Sequence, residues 1–153
     1  MILGDTDIRT FLRLGLIRVD PEPQDQAIQP ASLELHLAGG LYLEPMEFAL
    51  AHTVETVTLS NQIAANLTGK SSLGRLGLAV HITAGFVDPG FSGQIVLELF
   101  NCSRHDISLE DGQAIGQLVF HQLRSPAQRP YGHPDLGSHY QNQVGTVRSY
   151  LNE

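Results

Sequence analysis

Hydrophobic and polar residues alternate along much of this chain, and a period of two residues predicts a fold built mainly from β-strands. Residues 32–37 show the pattern clearly, because three leucines alternate there with a glutamate and a histidine. Turn sequences with Asp-Pro-Gly at 88–90 and Glu-Asp-Gly at 110–112 indicate an all-β sandwich or barrel, and we predict a jelly-roll-like fold. Stretches rich in β-branched and large apolar residues predict further strands over residues 48–51, 53–59, 78–82, 94–100, 106–109 and 114–123.

The two ends of the chain depart from the strand pattern. Residues 5–14 carry apolar side chains at helical spacing, with Asp5 or Thr6 available as N-cap, and predict one short helix. Residues 125–153 are rich in proline and glycine and poor in apolar side chains, so they cannot form a core of their own. We therefore expect one domain, in which residues 1–124 form the β fold and the rest form a tail or a lid.

Composition narrows the classes of function. Sixteen acidic residues against nine basic ones give a formal charge of −7, so we do not expect polymeric nucleic acid as a partner. The single cysteine, Cys102, can form neither an internal disulfide nor a multi-cysteine zinc site, and the seven histidines lack metal-ligand spacing such as His-x-x-x-His. With no secretory signal and no membrane span in the sequence, we expect a cytoplasmic protein.

The segment from Gly69 to Gly77 concentrates residue types that suit phosphate groups. It contains the only lysine of the chain, an arginine, two serines and three glycines. Glycine permits close backbone approach, lysine and arginine supply positive charge, and serine supplies hydrogen-bond donors. These features favour a triphosphate ligand, while a polar turn ahead of the next strand explains the same residues equally well. The spacing differs from that of a Walker loop.

Two carboxylates stand out further along the chain. Glu98 interrupts an otherwise apolar run, and Val96 and Phe100 are expected on the same face of the strand. A carboxylate on an apolar face is costly unless it is paired or hydrogen-bonded, so the pattern favours a role for Glu98 in proton transfer. Asp88 lies in an Asp-Pro-Gly sequence, where an aspartate is more often a turn residue than a catalyst.

Four motifs occur in one order along the chain. They are Gln-Pro-Ala-Ser-Leu-Glu-Leu at 29–35, a segment with Ser-Ser-Leu-x-Arg-Leu-Gly at 69–78, a hairpin at 83–101, and an arm with Tyr131, Tyr-Gln-Asn-Gln at 140–143 and Arg148-Ser149. In this order they resemble the dCTP deaminase and dUTPase superfamily. The resemblance spans nearly the whole chain.

The resemblance implies a homotrimer of distorted jelly rolls, with each active site between subunits and with Mg²⁺ accompanying the triphosphate. It implies dCTP and dUTP as substrates, Glu98 as the base for deamination, and Asp88 as the group that orients water onto the α-phosphate. Zinc deaminases activate water with a His-x-Glu and Cys-x-x-Cys set. A chain with one cysteine cannot supply that set, so Glu98 would move the proton without zinc.

The resemblance also assigns the other site residues by motif. Ser71 and Arg75 would hold phosphates and help to position water, as part of the catalytic set. In the arm, His139 stands where the family usually has a lysine, which weakens a phosphate contact at neutral pH. The full set of expected substrate-binding residues is Lys70, Ser72, Thr83, Ala84, Phe86, Gln117, Tyr131, His139, Tyr140, Gln143 and Ser149.

Two positions indicate a subgroup. Gly85-Phe86 stands where deaminase-only members carry His-Arg, and Glu98 stands where plain dUTPases usually have a residue that is not acidic. The region between Gly39 and Glu47 is much shorter than in long bacterial deaminases, which is a mark of compact members. We expect a bifunctional enzyme that deaminates dCTP and hydrolyses dUTP to dUMP, with a dUTPase only, or a nucleotide-binding regulator without turnover, as the alternatives.

Overall fold

Antiparallel strands form three sheets in this computed structural model, which describes residues 1–152 of the chain. The helices are α1 (Asp5–Arg13) and the one-turn α2 (Ser71–Gly74), with 3-10 turns at Asp25–Ala27, Pro134–Leu136 and Tyr150–Asn152. The strands are β1 (Ile17–Asp20), β2 (Ile28–Gln29), β3 (Ser32–His36), β4 (Leu41–Leu43), β5 (Phe48–Leu59), β6 (Ile63–Gly69), β7 (Leu78–Ala79), β8 (Phe86–Val87), β9 (Ser92–Asn101), β10 (Ile107–Leu109) and β11 (Ala114–Gln122).

Two larger sheets provide the framework of the fold. One has the strand order β1-β5-β9-β7, and the other has the order β2-β3-β11-β6-β8. The short strands β4 and β10 pair with each other as a third sheet. This arrangement confirms the mainly β fold, and the non-sequential order of the strands is the crossing topology that a jelly roll requires.

The core lies between the inward faces of the larger sheets. Along β9, fully or largely buried residues alternate with half-buried ones, so Ile95, Leu97 and Leu99 face the core. Phe120 of β11 and Leu35 of β3 meet them from the other sheet as fully buried side chains. Each such side chain contributes about 1.5–3 kcal/mol by leaving water, which is why the alternation in the sequence determines the register.

A buried glutamate joins the two sheets. Glu55 of β5 is buried, and its Oε1 lies 2.6 Å from Nδ1 of His36 in β3. Its Oε2 accepts a hydrogen bond of 3.0 Å from the backbone N–H of the same histidine. Because both oxygens have partners, this carboxylate can be buried without an unpaired charge. Glu55 is not among the residues predicted from the sequence.

Several predicted element bounds are wrong in detail. Residues 48–51 and 53–59 form the single strand β5, whose register with β9 shifts between His52 and Thr56. The strand expected over residues 78–82 ends at Ala79, because the chain then leaves the ladder to form a loop. The strands β1, β2, β4, β6 and β8 and the helix α2 were not predicted.

The predicted N-cap of the first helix is also wrong. Gly4, in an extended conformation, is the N-cap, and no side chain caps the helix there. The backbone N–H of Asp5 instead donates to Pro30 O at 3.0 Å, and Asp5 Oδ1 accepts from the N–H of Thr6 at 2.9 Å. The backbone N–H of Asp5 is therefore satisfied by the connection between β2 and β3, and the N–H of Thr6 is satisfied by a side chain of the helix itself.

Within the part of the chain that is described, none of the helices is both long and apolar enough to cross a membrane.

Candidate active site

A cavity of about 820 Å³ opens where β5 and β9 meet the loop before β8 and the C-terminal arm. Its volume lies in the range of small-molecule sites, about 300–1,000 Å³. The walls are mostly apolar, and its acidic members are Asp88 and Glu98. The cavity, called the base cavity below, is lined by Phe48, Leu50, Ile82, Ala84, Phe86, Val87, Asp88, Phe91, Ile95, Val96, Glu98, Tyr131, Tyr140, Gln143, Val147, Arg148 and Ser149.

Glu98 faces the base cavity from the face of β9 that is turned away from the core. Its neighbours on that face are Val96 and Phe100, as the alternation predicts, and all three side chains are half-buried. Glu98 Oε2 accepts a hydrogen bond of 2.6 Å from the backbone N–H of Ile82. The carboxylate is thereby held in one orientation among apolar neighbours, which is the geometry a proton-transferring group needs.

Asp88 lies on the rim of the same cavity with its side chain exposed. Its backbone carbonyl accepts the N–H of Phe91 at 3.1 Å, so the Asp-Pro-Gly sequence does form the predicted turn. Gly90 has a φ of +90°, and a Cβ there would come within 2.5 Å of Pro130 in the arm. The turn therefore also determines where the arm can pass, and it leaves the Asp88 carboxylate pointing to solvent at the cavity.

The loop from His81 to Phe86 forms one wall of the cavity. Thr83 has a φ of +62°, an unusual conformation for a β-branched residue. Ala84 and the exposed ring of Phe86 line the cavity, whereas Thr83 is exposed beside it. At Gly85 a Cβ would lie 2.8 Å from Leu67 O and 2.9 Å from His81 Nε2, so close packing explains the glycine.

The predicted phosphate-binding residues lie in a separate groove of about 480 Å³. Lys70 forms an ion pair with Glu34 there, and Gln117 accepts a hydrogen bond of 3.0 Å from Ser32 Oγ. Ser71 lines the groove from the first turn of α2, while Ser72 and Arg75 are exposed on the same helix turn. The groove is lined by Gln29, Glu34, Gly69, Lys70, Ser71, Gly74 and Gln117.

One chain does not bring the two halves of the predicted site together. The base cavity and the phosphate groove have no lining residue in common among residues 1–152. Glu98 and Asp88 belong to the first, and Lys70 and Ser71 belong to the second. A nucleotide that uses both halves would therefore have to bridge two surfaces of the protein.

The C-terminal arm covers the base cavity of its own chain. The ring of Tyr131 packs on Phe91 with 5.8 Å between ring centroids, and the Tyr131 hydroxyl accepts the backbone N–H of Tyr140 at 3.1 Å. His139 does not line the cavity, because its ring stacks on Tyr150 at a centroid distance of 3.7 Å. The arm thus brings Tyr131, Tyr140, Gln143 and Ser149, which are predicted to bind substrate, to the cavity and leaves His139 outside.

Some cavity residues were not predicted. Arg148 is the basic residue that lines the cavity, and from the sequence it was expected only as part of the arm motif. Phe48 and Leu50 enter from β5, because Leu50 lies directly opposite Glu98 in the antiparallel ladder. Only the strand pairing reveals that neighbour, since the two residues are far apart in sequence.

A larger groove lies away from the predicted chemistry. It has a volume of about 920 Å³ and is lined by α1, β1 and β5, with Arg9, Arg13 and Arg18 among its residues. Asp25 pairs with the first of these arginines, and two further carboxylates line the same groove. The positive charge there is largely offset, so the groove does not replace the base cavity as the candidate site.

Deletion of the arm after Gly137 should lower turnover far more than it lowers stability. Residues 138–151 contain no fully buried side chain, so we expect a loss of about 1–2 kcal/mol in unfolding free energy and a change in Tm of a few degrees. Enzymatic turnover should fall at least about tenfold, since the deletion removes several residues that line the cavity. Calorimetry and steady-state assays on the same preparation test this, and a large loss in Tm would contradict it.

Comparison with known proteins shows the family of this chain. A model of the family described as dCTP deaminase-like matches residues 35–123. An enzyme called dCTP deaminase, dUMP-forming, from Tropheryma whipplei (strain Twist) is 45% identical over 97% of this chain and 92% of the relative. The enzyme of that name from Thermobifida fusca (strain YX) is 44% identical over 99% and 94%. The chain belongs to the dCTP deaminase-like family, which confirms the resemblance stated from the motifs.

Solved structures show the same fold. A dCTP deaminase from Agrobacterium tumefaciens superimposes with a TM-score of 0.68 at 20% identity, covering 79% of this chain and 48% of that longer chain. The native dUTPase of EIAV gives a TM-score of 0.62 at 21% identity, covering 77% and 98%. These likenesses confirm the dUTPase-type β fold.

The chain is also shorter than its relatives. The alignment with the Tropheryma whipplei enzyme extends over 182 positions, whereas this chain has 153 residues. The relative therefore contains segments with no counterpart here, in agreement with a compact form. That the shortening lies between Gly39 and Glu47 stays a prediction.

Proposed function

We propose that this protein converts dCTP to dUMP, ammonia and pyrophosphate, with water consumed in two hydrolytic steps. The observation that carries the proposal is the base cavity, in which Glu98 is anchored among apolar residues while Asp88 lies exposed on the rim. Glu98 would act on a pyrimidine ring inside the cavity, and Asp88 would act on the phosphates at the solvent side. The relatives named dCTP deaminase, dUMP-forming, support the same pair of reactions.

Deamination would take place at Glu98. Its carboxylate accepts a proton from water as the water oxygen bonds to C4 of cytosine, and it returns the proton to the ring nitrogen N3. The remaining hydroxyl proton then moves through the same carboxylate to the amino group, the C4–N bond breaks, and uracil and ammonia form. The hydrogen bond from the Ile82 N–H holds one oxygen in place, so the other can act on water.

Release of pyrophosphate would depend on Asp88. Its exposed carboxylate orients a water molecule onto the α-phosphate, the bond between phosphorus and the bridging oxygen to the β-phosphate breaks, and pyrophosphate leaves. We infer that Mg²⁺ enters with the triphosphate. No cluster of three or more His, Cys, Asp or Glu side chains suited to a metal occurs in residues 1–152, and Mg²⁺ commonly uses phosphate oxygens with one or two carboxylates. When bound, the ion would neutralise charge on the leaving pyrophosphate.

The separation of base cavity and phosphate groove supports a site formed between copies of this chain. Ser71, Ser72, Arg75 and Lys70 of one subunit would hold the phosphates of a nucleotide whose ring lies in the base cavity of a neighbour. Closed cyclic symmetry gives every copy the same environment, and the family resemblance implies a ring of three copies. We therefore propose a homotrimer with inter-subunit sites.

Mixing two inactive variants tests this arrangement. Glu98→Gln and Arg75→Ala should each lack deamination, but co-assembled chains should recover about a quarter of the wild-type rate per site, because that share of interfaces combines both intact residues. A mixture of Glu98→Gln with Glu98→Ala is the matched control and should stay inactive. A mixture of Glu98→Gln with Arg75→Ala that is no more active than either variant would contradict the inter-subunit site.

The dUTPase-only alternative depends on loss of cytosine contacts in the shortened region. In the part of the chain that is described, none of residues 39–47 lines the base cavity, whereas Phe48 and Glu98 do. Because the shortened region does not line the cavity, the shortening leaves the residues expected for deamination in place, which supports deamination over the dUTPase-only alternative.

Product analysis tests the proposed function directly. Purified protein is incubated with Mg²⁺ and either dCTP or dUTP, and nucleotides, ammonium and pyrophosphate are quantified. We expect dUMP and pyrophosphate from both substrates, and ammonium from dCTP alone. Intact dCTP alongside hydrolysed dUTP would reduce the protein to a dUTPase, and binding without any product would make it a regulator.

A further inference from the structure

The arm is attached to the protein along one free strand edge. Strand β7 pairs with β9 at Phe100 and Asn101, and no other strand of residues 1–152 covers that edge of β9 near Ser92. The arm contacts this edge through an isolated parallel bridge between Gly93 and Gln143. At Gly93 a Cβ would come within 3.0 Å of Gln143 N, so the two backbones are in close contact.

Gln94 forms the centre of this attachment. Its backbone N–H donates to Gln143 O at 3.0 Å, and its carbonyl accepts from Gln143 Nε2 at 2.7 Å. Its side-chain Oε1 accepts the N–H of Gly145 at 2.6 Å, and its Nε2 donates to Val54 O in β5 at 3.3 Å. A single side chain therefore links the arm to β9 and β5.

The link to Gln94 lies just before the arm residues that line the base cavity. Gly145 has a φ of +73°, and the arm turns there before Val147, Arg148 and Ser149 reach the base cavity. Gln94 itself does not line the cavity. Oγ1 of Thr146, the next residue, is hydrogen-bonded to His52 Nδ1 at 2.8 Å. Two neighbouring residues of the turn are therefore hydrogen-bonded to the sheet.

We propose that Gln94 is a positioning residue for the proposed reactions, acting through the Gly145 turn to place Arg148 and Ser149 over the bound nucleotide. This inference rests on the proposed function for its kinetic part. The hydrogen bond to Gly145 favours the closed arm, and loss of that bond favours an open arm that must close before each turnover. The effect falls on nucleotide affinity, because the reacting groups Glu98 and Asp88 keep their places.

The test compares Gln94→Met, which keeps the length of the side chain but cannot accept a strong hydrogen bond, with Gln94→Glu, which keeps the acceptor for Gly145. The matched control is Gln113→Met, because Gln113 Oε1 accepts the N–H of Glu110 at 3.0 Å in a turn away from the arm. We expect Gln94→Met to raise KM for dCTP and dUTP about tenfold with kcat changed less than about threefold. Gln94→Glu and Gln113→Met should stay within about threefold of wild type in both constants.

Limited digestion with trypsin, without nucleotide, gives a second readout that does not need activity. Cleavage after Arg148 should be several-fold faster in Gln94→Met than in the other two variants, with an unchanged Tm. Equal cleavage rates and equal KM values for Gln94→Met and Gln113→Met would overturn the proposal, as would an equal defect in Gln94→Met and Gln94→Glu. If wild type lacks both activities while the cleavage difference persists, the proposed function fails and the attachment through Gln94 stands.

Discussion

Glu98→Gln should abolish ammonium release from dCTP, with a fall of about 10³-fold within the 10²–10⁴-fold range of general acid–base catalysis. The amide keeps the shape of the side chain and can still accept the Ile82 N–H through its oxygen. It cannot accept the proton from water, so addition at C4 does not proceed. Nucleotide binding should change less than about threefold, because the side chain remains in place. An ammonium assay and a binding titration with dCTP measure the two quantities.

Hydrolysis of dUTP provides an internal control for this variant. Asp88 and the arm are unchanged, so pyrophosphate release from dUTP should persist within about threefold of wild type. Glu110→Gln, at an exposed glutamate in a turn, controls for a change of charge away from the cavity. Unchanged deamination by Glu98→Gln would refute the assignment of this residue as the base.

Asp88→Asn should separate the second reaction from the first. Pyrophosphate release from dUTP should fall about 10²-fold or more, because the amide orients the attacking water poorly and carries no negative charge. Deamination should continue, so dCTP should yield ammonium together with accumulating dUTP. Quantitative chromatography of the nucleotides measures this change of product.

A control variant tests whether Asp88 acts only as a turn residue. Asp111 lies in the Glu-Asp-Gly turn, and its Oδ1 accepts the N–H of Gly39 at 2.7 Å. Asp111→Asn therefore removes an equal charge from another turn. Although Asp111 occupies a different position in its turn from Asp88, its removal from a turn outside both cavities should leave both reactions within about threefold of wild type. An equal fall of deamination and pyrophosphate release in Asp88→Asn would show that the two roles are not separable.

The fold could be predicted where one face of a strand is buried. In β3 and β9 the alternation is strict, and both strands lie where the sequence indicates. Strand β6 was missed because Ile63, Ala64 and Ala65 are all buried, which removes the alternation. The strands β2 and β8 have two residues each, which is too short for an alternation to show; β8 pairs with β6, a separate segment, and β2 pairs with the adjoining β3.

The site could be predicted where a residue departs from the hydrophobic pattern of its own strand. Glu98 interrupts an apolar run, and the structure places it on the cavity face with Val96, as expected. The ion pair of Lys70 with Glu34 and the packing of Gly85 on Leu67 have no local signal, since each joins separate segments. Gln94 looks like an ordinary polar residue of a strand, and only the path of the arm shows its four contacts.

The most direct test is a crystal structure of Glu98→Gln with dCTP and Mg²⁺, in which the nucleotide is bound but not consumed. If Glu98 is the base, the cytosine 4-amino group should lie within hydrogen-bond distance, about 2.7–3.2 Å, of the residue 98 side chain. The triphosphate should contact Ser71 and Arg75 of a neighbouring copy. A cytosine ring bound outside the base cavity, or a residue 98 side chain turned to solvent away from the ring, would contradict it.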